Sequence, residues 1–414
     1  MLPADLPLHP LTGFQRAMLM IGTVSVSAGM SINFVVVTPL ARKAGLSEMD
    51  VAGFMTLSTI LFAVMIPVWG RIADLVGRKR VMVFSLFATA LTNMAFLFAL
   101  EAGLAGVVTG TSLLLMLFFV RAWFGILAPG LQPAAMAAMA DATTPANRAA
   151  GLGMLGAAMA IGSIIGPAGA AVLAPFGALA PLWGTIVFCV LVGLLISFTL
   201  PRTAKRARNA PRPKPLALTD RRMRPHLLFL LIYFIAIGMM QQTLAWFIED
   251  RYRLTERLGE DAGKTAILYT GITFACYAVA ALIVQFGYIN RVKPDPRKVL
   301  PIGLAMVAGG YLGADVFQEL YVMYACFFVV GAGAALAIPS ANALGSLSVS
   351  REEQGAAAAL LSVAPPAGFI FGPLLGAWLY GISHALPLLG AAVMVGALAV
   401  YAVLVTARKP LAAG

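Results

Sequence analysis

Long apolar stretches follow one another almost without pause along this chain, near 17–40, 49–70, 80–100, 111–139, 147–173, 178–200, 227–248, 265–287, 299–317, 319–346, 354–380 and 384–406, separated by short polar breaks. A helix needs about 20 mostly apolar residues to cross a bilayer. In lipid the backbone must also satisfy its own hydrogen bonds, which leaves helices as the structure for segments of this kind. About twelve spanning helices follow, and with them an all-α integral membrane protein. Composition agrees where it decides the matter: 60% of the 414 residues are hydrophobic and 11% are charged, against about 25% charged in soluble domains. A water-soluble enzyme is excluded. The first stretch is too long for the roughly 7–15-residue apolar core of a cleaved signal peptide, and it reads as the first span. Cys189, Cys276 and Cys326 lie inside apolar stretches without metal-ligand spacing, so neither a disulfide framework nor a metal site is expected.

An even number of spans puts both termini on one side. With these boundaries that side carries 22 of the 29 Lys and Arg residues, the other carries 6, and Arg121 stands within a span. The positive-inside rule makes the richer side cytoplasmic, so both termini are expected in the cytoplasm of a multi-pass protein of the cell (inner) membrane. The formal net charge of +12 is then a topology and anionic-lipid signal, not a nucleic-acid footprint. The densest basic run, with five prolines and one acid, Asp220, lies between Pro201 and His226. It separates residues 1–200 from 227–414 as two six-helix bundles joined by a basic linker, 201–226.

The two halves also repeat. At a constant offset of 206 residues Gly125 meets Gly331, Pro133 meets Pro339, Gly162 meets Gly368, Gly166 meets Gly372, Pro167 meets Pro373 and Gly184 meets Gly390. Such residues fix kinks and close approaches in helices, so their coincidence implies two pseudo-symmetric bundles. A six-plus-six repeat is the plan of a secondary transporter with its substrate site between the halves.

Three strings carry more specific information. At the end of the second span stands Gly70-Arg-Ile-Ala-Asp74-Leu-Val-Gly77-Arg78-Lys79-Arg80. Gly70 permits close packing, Asp74 is a carboxylate at a helix end, and Gly77 suits a tight reversal. The string resembles the signature loop G-x-x-x-D-x-x-G-R-K/R of the major facilitator superfamily. That resemblance implies a cytoplasmic latch in which Arg78 bridges Asp74 to an acid at the end of the fourth span, here Asp141. The corresponding loop of the second half, Gly287 to Arg291, lacks the acid.

In the fourth span, Arg121-Ala-Trp-Phe-Gly125 resembles a second family signature, R-x-x-Q-G, with Phe124 where Gln is usual. A mid-membrane arginine costs about 2.5–3.5 kcal/mol on insertion scales. It serves either as a structural bond between helices or, as the resemblance implies, in proton coupling or in holding an anionic substrate group. Gln132 lies eleven residues on, close to three full turns, and on a straight helix it shares the face of Arg121. In the fifth span Gly162, Gly166, Pro167 and Gly169 resemble the antiporter signature G-x-x-x-G-P-x-x-G-G, with Ala170-Ala171 at the final glycine pair. The eleventh span repeats it as Gly368, Gly372, Pro373 and Gly376. Small faces of this type let helices touch backbone to backbone, and the signature implies export.

With Gly29 matched to Gly238, an offset of 209, Asn33 in the first span and Gln242 in the seventh occupy corresponding places, with Gln241 beside them. Two readings stay open: opposite walls of one substrate site, or interhelical hydrogen bonds. Trp246, Tyr269 and Tyr277 add aromatic surface that serves packing or ligand contact. No span holds a central carboxylate; Glu101, Glu249, Asp250, Asp315 and Glu319 all fall at span ends away from the termini. His9, His226 and His384 stand near span ends and form no catalytic or metal set.

Taken together, the chain resembles the twelve-span drug/proton antiporter branch of the superfamily. The implied function is export of a small amphipathic organic compound by alternating access in exchange for protons, performed by a monomer in the lipid bilayer without a cofactor. Metabolite or siderophore export, or import, is the alternative within the superfamily, and a non-transporting membrane receptor is the remote one. An enzyme is not expected, since no paired acids, Ser/His pair or metal set is present.

Overall fold

The computed structural model describes residues 11–144, 148–201, 216–350 and 353–407. Part of the basic linker lies outside them. Among the described residues, twelve helices are long and apolar enough to cross a membrane: α1 (Gly13–Lys43), α2 (Glu48–Val76), α3 (Arg78–Leu104), α4 (Gly110–Asp141), α5 (Gly151–Phe176), α6 (Ala180–Thr199), α7 (Arg224–Arg251), α8 (Leu254–Val292), α9 (Pro296–Val316), α10 (Leu320–Ser346), α11 (Ala356–Ile382) and α12 (Leu386–Leu404). They fall into two compact units, Met1–Pro211 with Leu258–Leu268, and Arg212–Arg257 with Tyr269–Gly414.

Local chemistry sets the helix ends. Thr12 and Gln15 form a reciprocal capping box at the start of α1, and Ser47 and Asp50 do the same for α2, satisfying amides that have no intrahelical acceptor. Gly77 joins α2 to α3 at φ 101°, a backbone region that side chains with a Cβ rarely enter.

Within each unit the same helix pairings recur. Gly162 and Gly166 seat α5 on α1: a Cβ at Gly162 would come within 2.6 Å of the Val24 carbonyl oxygen, and Gly166 lies equally close to the backbone at Ala28. In the second unit α11 sits on α7 in the same manner. A Cβ at Gly372 or Gly376 would come within 2.7 Å of the carbonyl oxygen of Ile235 or Met239, and Gly368 abuts the backbone at Phe234. Gly125 brings α4 onto α2 at Ser58, and its counterpart Gly331 brings α10 onto α8 at Tyr277. The helix pairs α3 with α6 and α9 with α12 complete the correspondence. The 206-residue offset in sequence is thus a repeat of backbone contacts inside two pseudo-symmetric bundles.

Three spans are irregular. α4 tightens into a 3₁₀ turn at Ala128–Gly130 before continuing to Asp141. The buried hydroxyl of Ser85 on α3 closes this break, donating to the Ala128 carbonyl and accepting the Leu131 amide at 3.0 Å. α8 widens into a π-helical turn at Ile283–Ile289. The helix that begins at Gln354 stops at Leu361 and resumes at Ala364, where Pro365 and Pro366 bring no backbone donors.

Candidate functional site

Arg121 is carried by α4 into the interior of the N-terminal unit, where only 2% of it is exposed. Its Nη2 donates to Asn33 Oδ1 on α1 at 2.6 Å. The guanidinium carbon lies 3.8 Å from the ring centroid of Phe96 on α3 and 5.6 Å from that of Phe124, where the π-face attracts a cation. Asn33 is oriented by its own donation, from Nδ2 to the Gly29 carbonyl at 2.5 Å. That bond assigns the amide, leaving its oxygen to the arginine. Arg121 Nε has no hydrogen-bond partner, and no carboxylate among the described residues forms an ion pair with Arg121. A positive charge is therefore held by an amide and an aromatic face. Phe124, at the position where the family signature has Gln, stacks on Phe62 with centroids 6.3 Å apart and closes the apolar patch shared with Ala128.

The 3₁₀ turn alters the expected phase of Gln132. Arg121 is enclosed by α1, α3 and α4, whereas Gln132 lies beyond the turn, half-buried, with its amide 3.5 Å from Met159 Sδ on α5. The shared face of a straight helix does not describe α4, because a tighter turn rotates everything after it.

At one end of the same unit, Arg78 opens α3 with 3% of its side chain exposed. It is paired with the Asp141 carboxylate, lies 3.8 Å from Asp74, and donates to the Ala137 carbonyl at 2.6 Å. Gly77 supplies the reversal that turns Arg78 inward, Gly70 leaves room for α4 at Pro133, and Lys79 donates to the Leu200 carbonyl at 2.5 Å at the end of α6. The signature string thus ties α2, α3 and α4 together through the buried Arg78, and reaches the end of α6 through Lys79.

In the C-terminal unit Gln241 and Gln242 are buried, and both polar atoms of the Gln242 amide lack a hydrogen-bond partner. Such a group costs about 1–3 kcal/mol to leave unpaired. Trp246 follows one turn later, 1% exposed, with its ring 5.8 Å from that of Tyr380. Tyr269 and Tyr277 lie on α8, where the Tyr277 backbone is the contact surface for Gly331. Gly169 differs from the other glycines of its signature: a Cβ there would meet nothing within 4 Å.

Phe96 and Ser85 escaped the sequence reading. Neither stands in a motif, and what makes each matter is a partner on another helix.

The sequence profile of the Major Facilitator Superfamily matches residues 19–295 and 268–413. The chain is 26% identical to Multidrug resistance protein 1 of Bacillus subtilis over 84% of this chain and 85% of that one. It is 23% identical to the class B tetracycline resistance protein of Escherichia coli over 92% of each. Its fold is similar to the crystal structure of a bacterial homologue of the human lysosomal transporter Spinster, with a TM-score of 0.65 at 15% identity over 95% of each chain. With twelve spans, two repeated bundles and the signature loop in place, this chain belongs to the Major Facilitator Superfamily and is a membrane transporter.

Proposed function

We propose that the chain exports a small amphipathic organic compound by alternating access in exchange for protons, with both termini in the cytoplasm. The observation that carries this reading is the Arg121–Asn33 pair: an arginine buried at membrane depth, balanced by an amide and a ring rather than by an acid. A charge held this loosely is available to a new partner, either an electron-rich group of the substrate or a site whose charge changes as a proton leaves. The names of the relatives, multidrug and tetracycline resistance proteins, and the antiporter-like glycines of α5 support the outward direction.

In this reading Arg121 and Asn33 answer to substrate or proton, and Gln132, Gln241, Gln242, Trp246, Tyr269 and Tyr277 supply polar and aromatic contacts. The cluster of Asp74, Arg78 and Asp141 acts as the cytoplasmic latch. Its buried cation must exchange partners for the bundle to open, and the pairing stabilises one state of the cycle by the difference in contacts between states. The small faces of α5 and α11 keep α1 and α7 in backbone contact as the bundles move.

The test is flux of tetracycline and of ethidium in proteoliposomes containing the full chain, with and without an imposed pH gradient. Gradient-driven flux that Arg121→Ala abolishes, in a protein that still folds, supports the reading. Flux indifferent to the gradient removes proton exchange, and normal flux in Arg121→Ala removes Arg121 from the mechanism.

A further inference from the structure

Gln242, Trp246 and Asp250 recur every four residues along α7, which places them on one face, each about one turn from the next. Asp250, the last of the three, meets two groups from the end of α11. The Tyr380 hydroxyl donates to Asp250 Oδ2, and His384 Nδ1 lies 3.6 Å from the same oxygen. The Tyr380 and His384 rings stack with centroids 4.7 Å apart and planes 14° apart, and the Trp246 ring packs against Tyr380. Exposure falls steeply along this series: 62% for the His384 side chain, 25% for that of Asp250, 2% for Tyr380 and 1% for Trp246. The groups therefore run from water into the interior of the C-terminal unit and end at the Gln242 amide.

The other charges at this end already have partners. Glu249 accepts from Thr255 at 2.8 Å. Arg251 lies 3.8 Å from Asp315 on α9 and donates to the carbonyls of Asp315 and Phe317. Arg253 lies 3.9 Å from Glu256 just beyond α7. Tyr252, Arg257 and Glu319 also stand at this end of the unit, and α12 contributes no charged residue.

We propose that Asp250, Tyr380 and His384 form a proton-binding site, through which the proton exchange proposed above reaches the C-terminal unit. An imidazole is the side chain that ordinarily titrates between about pH 5 and 8. Protonated, His384 is a cation 3.6 Å from the oxygen that Tyr380 already holds; neutral, it places no charge there. Proton uptake thus changes the load on one carboxylate oxygen, and Tyr380 carries the change inward because its ring touches Trp246. Trp246 sits one turn from the unpaired Gln242 amide.

The titration is read without any substrate, as tryptophan fluorescence of the full chain in lipid nanodiscs between pH 5 and 8. A transition is expected in the unaltered protein. It disappears in His384→Gln, an exposed position where folding is not at risk, and in Trp246→Phe, which assigns the signal to this ring. In Asp250→Asn the oxygen that meets both the Tyr380 hydroxyl and His384 loses its charge, and the amplitude of the transition is expected to fall. Absence of the transition, or its persistence in His384→Gln, overturns the site. Tetracycline flux then tests its role. Where the unaltered protein is driven by the gradient, His384→Gln must displace the pH profile, and an unchanged profile overturns the coupling. A fluorescence transition with gradient-indifferent flux supports the site while removing the proton exchange proposed for transport.

Discussion

Arg121 donates to Asn33 at 2.6 Å, and Asn33 is itself fixed by donation to the carbonyl of Gly29 one turn earlier on α1. The arginine is thereby held by a side chain whose orientation α1 imposes. Asn33→Ala removes the acceptor and leaves a buried cation held only by the rings of Phe96 and Phe124, at an expected cost of about 1–3 kcal/mol, visible as a lower unfolding temperature in detergent. Asn33→Asp supplies a carboxylate, so the fold is kept while flux falls, because the charge is neutralised within the bundle.

The Arg78–Asp141 pair yields a cycle. Arg78→Ala and Asp141→Asn each break the same contact, so the double variant is expected to be scarcely less stable than Arg78→Ala. The coupling energy should lie at about 0.5–3 kcal/mol. Additive losses in thermal unfolding contradict a direct pairing. Arg78→Lys keeps the charge but gives up the fork that reaches both Asp141 and the Ala137 carbonyl, and it falls between the unaltered protein and the alanine variant.

Gly166 and Gly169 stand three residues apart in one signature, yet only Gly166 abuts a neighbouring backbone. Gly166→Ala pushes α5 off α1 at a cost of about 1–3 kcal/mol. Gly169→Ala changes stability by no more than about 0.5 kcal/mol. Equal effects on the two unfolding temperatures contradict the packing described.

Arg222 bonds to both Asp220 and Glu353, and its guanidinium holds both carboxyls below their ordinary values of 3.8 and 4.5. With folded-state values depressed, the contribution of this clamp is fully present above the ordinary values and is lost as pH falls through the folded ones. Hydrogen exchange at the Arg222 amide, which donates to Asp220 at 2.9 Å, is expected to show constant protection from pH 5 to 8 and loss of it in stronger acid. Loss of protection within the neutral range contradicts the assignment.

Gln242→Leu separates structure from transport. Replacing an unpaired buried amide with an apolar side chain of similar size leaves stability unchanged or raised by about 1 kcal/mol. A loss of flux with stability retained marks the amide as a contact of the transported compound.

Hydropathy was enough to count the spans, since lipid imposes one requirement on every helix, and the glycine offset was enough to equate α5 with α11. The helices that those glycines touch were not legible, because a small residue specifies closeness without naming a partner. Gly169 makes the same point from the other side: it stands in the motif, yet a side chain there would meet nothing. Gln132 was placed by assuming a straight helix, and Pro129 was the overlooked signal of the turn that displaced it. Phe96 carried no signal at all, being one of 24 phenylalanines until Arg121 is laid across it.

Ser85 rivets the break in α4 to its neighbour. A bare 3₁₀ joint would let the segment that ends at Asp141 swing by itself, absorbing displacement as slack. With one hydroxyl bonded to both sides of the joint, that swing must either forfeit two bonds or take α3 along. In the latch proposed above, a pull where Arg78 grips Asp141 would therefore tilt α3 and α4 together, and with them Phe96 and Arg121.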